Sequence, residues 1–451
     1  MIIQSLVPKI MNILLLSILL SGVLATASFT ANVTIKQCTT NGCVPTTKRI
    51  ALDATSNHTS SSGKSLIYVN GNALTLTYGD SRVGGPRIYL IEESGNNTNY
   101  LFHLKNQEFT FDVELSTMTC GFNAALYFIG MNANEGGAED GTNYCDAQAV
   151  DGTFCSEMDI MEANTRAQQY TTHACIDACG SYSKDTTECT GNGSPSTVCD
   201  QSGCGLNPFR YGPGTTYNTE TNNADWYGPG KLLDSTQKFT VVTQFHTNDG
   251  TGSSTLSNIT RFYLQNKKRI DLPTLYVLKP KDGQHMGGDV HPTLTSQFCS
   301  DIYDRWNGNA KYEPLSQMGS NMENGMVLSM SAWYSKETYP LRGSQTGMSW
   351  LDGTNNWGKD IKAGPCDTTT SDVGGPFYAT FSDIRFGDIG TTTPGAPPAP
   401  GPAPGPAPSP SPPSGTGKCC YSGCGSGNCA ATGFCAQSKT NCAQNCNGQW
   451  C

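Results

Sequence analysis

Apolar and polar residues alternate with a period of two along much of this chain, and helical periodicity is hard to find. From Glu108 to Leu115, Phe109, Phe111, Val113 and Leu115 alternate with Thr110, Asp112 and Glu114, the pattern of a half-buried strand. Leu74, Leu76 and Tyr78 repeat it, as do Phe377, Ala379 and Phe381. Further on, Met326, Leu328 and Met330 take the core parity, while Val327, Ser329, Ser331 and Trp333 take the other. With 50 glycines and frequent Asn/Asp turns between such runs, the chain reads as an all-β, antiparallel, loop-heavy sandwich. A sheet of this kind must curve to form a groove, whose face would be polar and aromatic.

Two segments depart from this pattern. Near the first Met, Lys9 precedes an apolar stretch from Ile10 to Ala25, with Ala25 and Ala27 spaced as a signal peptidase accepts. Residues 1–27 are therefore predicted to be a signal peptide and the mature protein to be secreted. The apolar stretch is shorter than the roughly 20 residues a spanning helix needs, so no membrane association of the mature form is expected. From Thr391 to Gly417 only Pro, Gly, Ala, Ser and Thr occur, a composition that cannot bury a core and favours an extended spacer. The chain thus divides into a main domain, 28–390, a linker, 391–417, and a Cys-rich tail, 418–451.

Composition narrows the setting. Of 20 cysteines, twelve precede the linker and eight follow it, and two even counts behind an export signal point to disulfides. Sequons at Asn57, Asn96, Asn192 and Asn258 add expected glycosylation. The net charge is −9 and the basic residues are not clustered, which argues against a nucleic-acid partner and suits an uncharged substrate.

The densest acid cluster is Glu157, Asp159 and Glu162, interleaved with Met158, Ile160 and Met161. On a regular strand Glu157 and Asp159 share a face, but Glu162, five residues from Glu157, would point the other way. One β-bulge near Ile160 or Met161 turns the offset of five into an effective four and sets all three carboxyls on one face. Crowded carboxylates repel one another, so some must hold protons near neutral pH. Retaining glycoside hydrolysis uses that imbalance: one ionised carboxylate is the nucleophile and a second, kept protonated, is the general acid. On spacing alone, the solvated face of an edge strand is the alternative.

The run from Cys155 to Asn164, Cys-Ser-Glu-Met-Asp-Ile-Met-Glu-Ala-Asn, resembles the active-site strand of glycoside hydrolase family 7, which contains cellobiohydrolases and endoglucanases. Cys120-Gly-Phe-Asn-Ala-Ala-Leu-Tyr-Phe, Gly141-Thr-Asn-Tyr-Cys-Asp-Ala-Gln, Asn207-Pro-Phe-Arg, Tyr227-Gly-Pro-Gly, Lys238-Phe-Thr-Val-Val-Thr-Gln-Phe and Gly325-Met-Val-Leu-Ser-Met-Ser-Ala-Trp match it in order. The resemblance implies a concanavalin-like jelly roll with a cellulose cleft or tunnel, requiring neither cofactor nor metal. It implies that Glu157 is the nucleophile, Glu162 the general acid/base, and Asp159 a hydrogen-bond partner of the nucleophile, with His173 close to the acid/base. Asn123, Tyr127, Asp146 and Gln148 would line the sugar subsites. Trp333 would stack on a sugar ring, Trp350 would lie on the leaving-group side, and Arg210 would bond hydroxyls beyond the cleavage point.

The sequence also departs from the family pattern. No tryptophan precedes Trp226, the segment from Ala149 to Cys155 is abbreviated, Met161 replaces the usual tryptophan, and Tyr334 follows Trp333 where an acid is common. Loss of far-subsite tryptophans and of tunnel wall favours a retaining endo-β-1,4-glucanase acting on cellulose or a related β-glucan as a monomer. The alternatives are a reducing-end cellobiohydrolase, favoured by the long stretch from Cys175 to Cys204, and a catalytically silent carbohydrate-binding protein on the same fold. The tail packs eight cysteines into 34 residues and lacks His, which suits disulfides rather than zinc. Its aromatics Tyr421, Phe434 and Trp450, tethered by the linker, suggest a cellulose-binding module.

Overall fold

The computed structural model describes residues 30–396 except 57–58, 60–63, 80–84, 94–96, 134–136, 177–198, 212–222, 276–279, 282–283, 286–290, 292, 306–313, 336–347, 349, 354–362 and 367–375; in the tail it describes 419–420, 429–430 and 449–450. The predicted signal peptide, the sequons at Asn57, Asn96 and Asn192, most of the stretch from Cys175 to Cys204, most of the linker, and Tyr421 and Phe434 lie outside the described residues.

The main domain begins with β1 (Thr30–Thr39), β2 (Gly42–Leu52), β3 (Ile67–Asn70), β4 (Ala73–Tyr78), β5 (Arg87–Ile91), β6 (Leu101–Phe102) and β7 (Gln107–Glu114). It continues with β8 (Phe122–Ile129), β9 (Glu157–Ala163), β10 (Gln168–His173), β11 (Cys204–Leu206), β12 (Tyr227–Gly228), β13 (Leu233–Asp234) and β14 (Phe239–Thr247). The last strands are β15 (Leu256–Gln265), β16 (Lys268–Asp271), β17 (Pro280–Lys281), β18 (Gln284–His285), β19 (Leu294–Thr295), β20 (Met326–Tyr334) and β21 (Phe377–Asp388).

One layer runs β2–β5–β20–β8–β9–β10–β11, every neighbour antiparallel. The other runs β3–β4–β21–β7–β14–β15–β16, also antiparallel. Strand β1 joins the layers, antiparallel to β2 and parallel to β21, so the sheet folds over itself into the expected sandwich. The period-two pattern fills its interior. Phe109, Phe111 and Val113 of β7 and Leu74 and Leu76 of β4 meet Leu126 and Phe128 of β8 and Leu328 and Met330 of β20, all fully buried. The Phe109 and Phe128 rings meet edge to face, with centroids 4.9 Å apart.

Three features differ from the sequence expectation. First, β7 is buried on both faces from Glu108 to Phe111, because residues 390–392 cover its polar side there. Glu108 accepts the backbone N–H groups of Gly390 at 3.1 Å and Thr392 at 3.0 Å, and the Thr110 and Thr392 hydroxyls meet at 2.6 Å. The start of the expected linker is thus packed into the main domain, and the compact units are Met1–Pro397 and Pro398–Cys451. Second, two helices occur among the described residues, α1 (Ser296–Arg305) and α2 (Pro314–Asn321). Their start signals were present in the sequence: Thr295 Oγ1 accepts the Phe298 N–H at 3.1 Å as an N-cap, and Pro314 opens α2. Their short apolar stripes, such as Phe298, Cys299, Ile302 and Tyr303, are too brief to stand out as a period. Third, β15 pairs with β14 on one side and, on its other side, with β16 at one end and the short β19 at the other, the last a pairing without an alternation signal of its own.

Five disulfides are described: Cys38–Cys43, Cys120–Cys366, Cys145–Cys155, Cys175–Cys199 and Cys204–Cys299. In the tail, β22 (Cys419–Cys420) pairs antiparallel with β23 (Cys429–Ala430) and β24 (Gln449–Trp450).

Candidate active site

The site is set by the register of β9 between β8 and β10. Against β8, Leu126 faces Met161 and the next residue, Tyr127, faces Asp159, so Ile160 is the extra residue of a bulge. Against β10 the same shift falls between Gln169 and Thr171. Met158, Ile160, Met161 and Ala163 all enter the core, and Glu157, Asp159 and Glu162 remain on the opposite, groove face. The bulge predicted near Ile160 is therefore present, and it is what reconciles a five-residue spacing with one face. The Cys145–Cys155 disulfide and the backbone N–H of Gly130, donated to the Ser156 carbonyl at 2.9 Å, anchor the chain just before Glu157.

Each acid has a distinct environment. Glu157 Oε2 accepts the Ala147 N–H at 3.1 Å, and Glu162 Oε1 accepts Asn123 Nδ2 at 2.8 Å. Asp159, between them, is bonded by His173 Nε2 at 3.1 Å. The other ring nitrogen of His173, Nδ1, lies 2.8 Å from the backbone carbonyl of Asp200. Since both ring nitrogens face oxygen acceptors, the imidazolium form satisfies both with N–H donors. Burial works against that charge, but the hydrogen bond and charge of Asp159, with Glu157 and Asp200 behind it, prevail and push the His173 pKa up to about 10. Glu157 and Glu162 both hold their protons well above the ordinary carboxyl range, first because burial penalises the anion and next because Asp159 is close. For Glu157, His173 is the larger opposing influence; for Glu162, it is the Asn123 amide.

In register His173 stands opposite Glu157 across the β9–β10 pair and Gln169 opposite Glu162, while the charge of His173 still acts on Glu162. Asp159 meets His173 through its described hydrogen bond, where a bond to Glu157 had been expected.

The sugar-subsite residues suggested by the resemblance fall into two groups. At the Glu157 end, the Tyr127 and Tyr144 hydroxyls are 3.1 Å apart, and Tyr144 hydrogen-bonds Asp146. Asp146 Oδ1 accepts the Gln148 and Val150 N–H groups, while the exposed Gln148 donates its amide to the Gln201 carbonyl at 3.1 Å. Beyond Glu162, Trp333 pairs with Asn123 in register, and its ring lies 6.3 Å from that of Trp350 at 36°. Arg210 donates to the Trp350 carbonyl at 2.8 Å, so the asparagine-proline-phenylalanine-arginine turn braces that tryptophan.

Sequence reasoning missed Arg87, Gln169 and Asp200. Arg87 lies 3.4 Å over the Tyr144 ring and pairs with Asp53 at 3.2 Å and Asp151 at 2.8 Å. Its signal was available, since Arg87 and Tyr89 occupy the parity opposite the core residues Ile88 and Leu90. Asp200 contributes a backbone atom, which no side-chain pattern reveals.

Comparison with known proteins places this architecture. The family described as Glycosyl hydrolase family 7 matches residues 62–153 and 149–393. A probable endo-β-1,4-glucanase of Aspergillus terreus is 38% identical over 333 residues, covering 68% of this chain and 69% of the relative. A family 7 cellobiohydrolase from Daphnia pulex superposes with a TM-score of 0.64 at 26% identity, covering 82% of this chain and 99% of that one. A Humicola insolens endocellulase does so with a TM-score of 0.61 at 27% identity, covering 81% and 98%. With a family match over most of the sandwich and the acid cluster on its groove face, the chain belongs to glycosyl hydrolase family 7 and is a glycoside hydrolase.

Proposed function

We propose that this enzyme is a secreted, retaining endo-β-1,4-glucanase that cleaves cellulose or a related β-glucan, with Glu157 as nucleophile and Glu162 as general acid/base. The observation that carries this reading is the bulge at Ile160, which sets the three carboxyls on one groove face, with Asp159 buried between two partly exposed glutamates. In the first step, the Glu157 carboxylate attacks the anomeric carbon while protonated Glu162 gives its proton to the glycosidic oxygen, and the leaving sugar departs as an alcohol. In the second, Glu162 takes a proton from water as that water attacks the same carbon, and Glu157 is released as a carboxylate. The division of labour follows from environment. Glu157 has the His173 imidazolium across the strand pair and an Ala147 N–H on its oxygen, both favouring its anion. Once Glu157 is ionised, its charge helps keep the second glutamate protonated.

Trp333 and Trp350 lie past Glu162 on the side away from Glu157, which suits them to the leaving sugars, and Tyr127, Tyr144 and Asp146 suit the sugar whose anomeric carbon is attacked. The endo preference rests on the short segment after Asp146. It is short, closed by the Cys145–Cys155 disulfide and exposed at Val150, which favours an open groove at this point. The names of the relatives agree with this preference, since the Aspergillus protein is called an endo-β-1,4-glucanase and the Humicola protein an endocellulase. Export rests on the N-terminal segment, and no described helix is long and apolar enough to cross a membrane.

The test is to follow viscosity and reducing ends together on a soluble cellulose derivative, with Glu157→Gln as the companion variant. A steep viscosity drop at low bond cleavage, abolished by roughly 10³-fold or more in Glu157→Gln while cellulose binding persists, is expected. Proportional loss of viscosity would mean exo action, and an active Glu157→Gln would refute the assignment.

A further inference from the structure

Behind His173 stands a second line of side chains that the two-glutamate mechanism does not use. His173 donates Nδ1–H to the backbone carbonyl of Asp200, 2.8 Å away. The Asp200 carboxyl is itself held from two sides: Oδ1 accepts the Gly203 N–H at 3.0 Å, and Oδ2 accepts the hydroxyl of Tyr303 on α1. The Asp200 N–H is donated to the Ala174 carbonyl at 2.8 Å, and the Cys175–Cys199 disulfide closes the same loop one residue earlier. Helix α1 is fixed to the far side of this loop by Cys204–Cys299. Asp200 is buried, and so is Tyr303. The fit against His173 is close: a Cβ on Gly203, whose φ is +66°, would come within 2.5 Å of the imidazole Cε1.

We propose that Asp200, clamped by Tyr303 of α1, is a positioning residue that fixes the His173 ring with Nδ1–H on its carbonyl and Nε2–H on Asp159. The proposal rests on the assignment of Glu157 and Glu162 as the catalytic pair. A ring held this way, with an oxygen acceptor on each nitrogen, remains a cation beside Asp159. The charged groups facing the ring are Asp159 and Glu157 from β9 and Asp200 from the loop before β11, with Asp146 behind Glu157 and Glu162 farther along β9. Freed from the clamp, the loop would withdraw the carbonyl, and the ring would lose the acceptor on Nδ1 and with it part of its preference for the charged form.

The experiment uses Tyr303→Phe in the full-length chain, which removes only the clamping hydroxyl. We expect kcat on a soluble β-1,4-linked glucose oligosaccharide to fall about 3- to 10-fold with KM within about twofold, the scale of one lost buried hydrogen bond. In ¹⁵N-histidine-labelled protein, the His173 ring signals are expected to titrate at least about one pH unit lower than in the wild type. Asp200→Asn keeps an acceptor for Gly203 and is expected to retain kcat within about threefold, a partial rescue that a charge-only role would not give. Unchanged His173 titration in Tyr303→Phe, or in Asp200→Ala should Tyr303→Phe fail to fold, overturns the proposal. Glu157→Gln, assayed alongside, reports separately on the catalytic assignment, since the ring titration is read without turnover.

Discussion

At the residue scale, the groove carries more acid than the ordinary ionisation of its members would allow. Glu157, Asp159, Glu162 and Asp146 share the space around one imidazolium, and burial raises the pKa of both glutamates before any pairwise repulsion is added. This has a consequence for stability. The folded His173 pKa of about 10 exceeds its ordinary 6.5, so its contribution is fully present below about pH 6.5 and is lost as pH rises through 10. The glutamates are also raised above their ordinary 4.5, so they too favour the fold while protonated and oppose it as their protons leave. Both effects have the same sign. The thermal midpoint should therefore decline as pH increases from about 5 to 10, and Glu162→Gln should make the decline shallower. Calorimetric scans across that range check this, and parallel slopes for wild type and variant would contradict it.

At the scale of the element, a single extra residue does the decisive work in β9. A bulge is defined by the count of residues between two hydrogen-bonded registers, and only secondarily by which side chain fills it. Ile160 is fully buried in the core, so Ile160→Ala should leave a cavity and lower unfolding free energy by about 2–4 kcal/mol. Because the count is unchanged, kcat should remain within about threefold of wild type at a temperature where both are folded. Chemical denaturation and steady-state kinetics together test this; a kcat collapse in a folded protein would show that the bulge depends on the isoleucine itself. The strands that flank β9 illustrate the same division. Asn123 reaches Glu162 from β8, and His173 reaches Asp159 from β10, each delivered by parity on its own strand.

At the scale of the whole molecule, the sandwich and the tail are separate compact units, Met1–Pro397 and Pro398–Cys451. If the tail serves to hold the enzyme on solid polysaccharide, its effect is one of local concentration and not of chemistry. A chain ending at Pro397 should keep kcat/KM on a soluble oligosaccharide and lose about 10-fold or more of its rate on solid cellulose at low enzyme concentration. Equal losses on both substrates would remove the tail from that role. The sandwich itself brings residues far apart in sequence into one groove, since β20, β8, β9 and β10 are neighbours while β20 follows β10 by more than a hundred residues.

The alternation of Phe109, Phe111 and Val113 or of Met326, Leu328 and Met330 was legible because each strand face meets either core or groove, and side-chain parity is a local property. The need for a bulge was legible for the same reason: three acids at a spacing of two and three cannot share a face on a regular strand. What the sequence could not assign was the partner across each strand pair. Whether His173 stands beside Glu157 or Glu162 depends on where β10 registers against the bulge, and that depends on hydrogen bonds between strands. The Asp200 carbonyl and the burial of Glu108 under residues 390–392 are of the same kind, contacts of backbone and loop made only when the chain closes on itself. Parity is written residue by residue along the strand; register and packing are energies of the folded whole, and only the tertiary structure decides them.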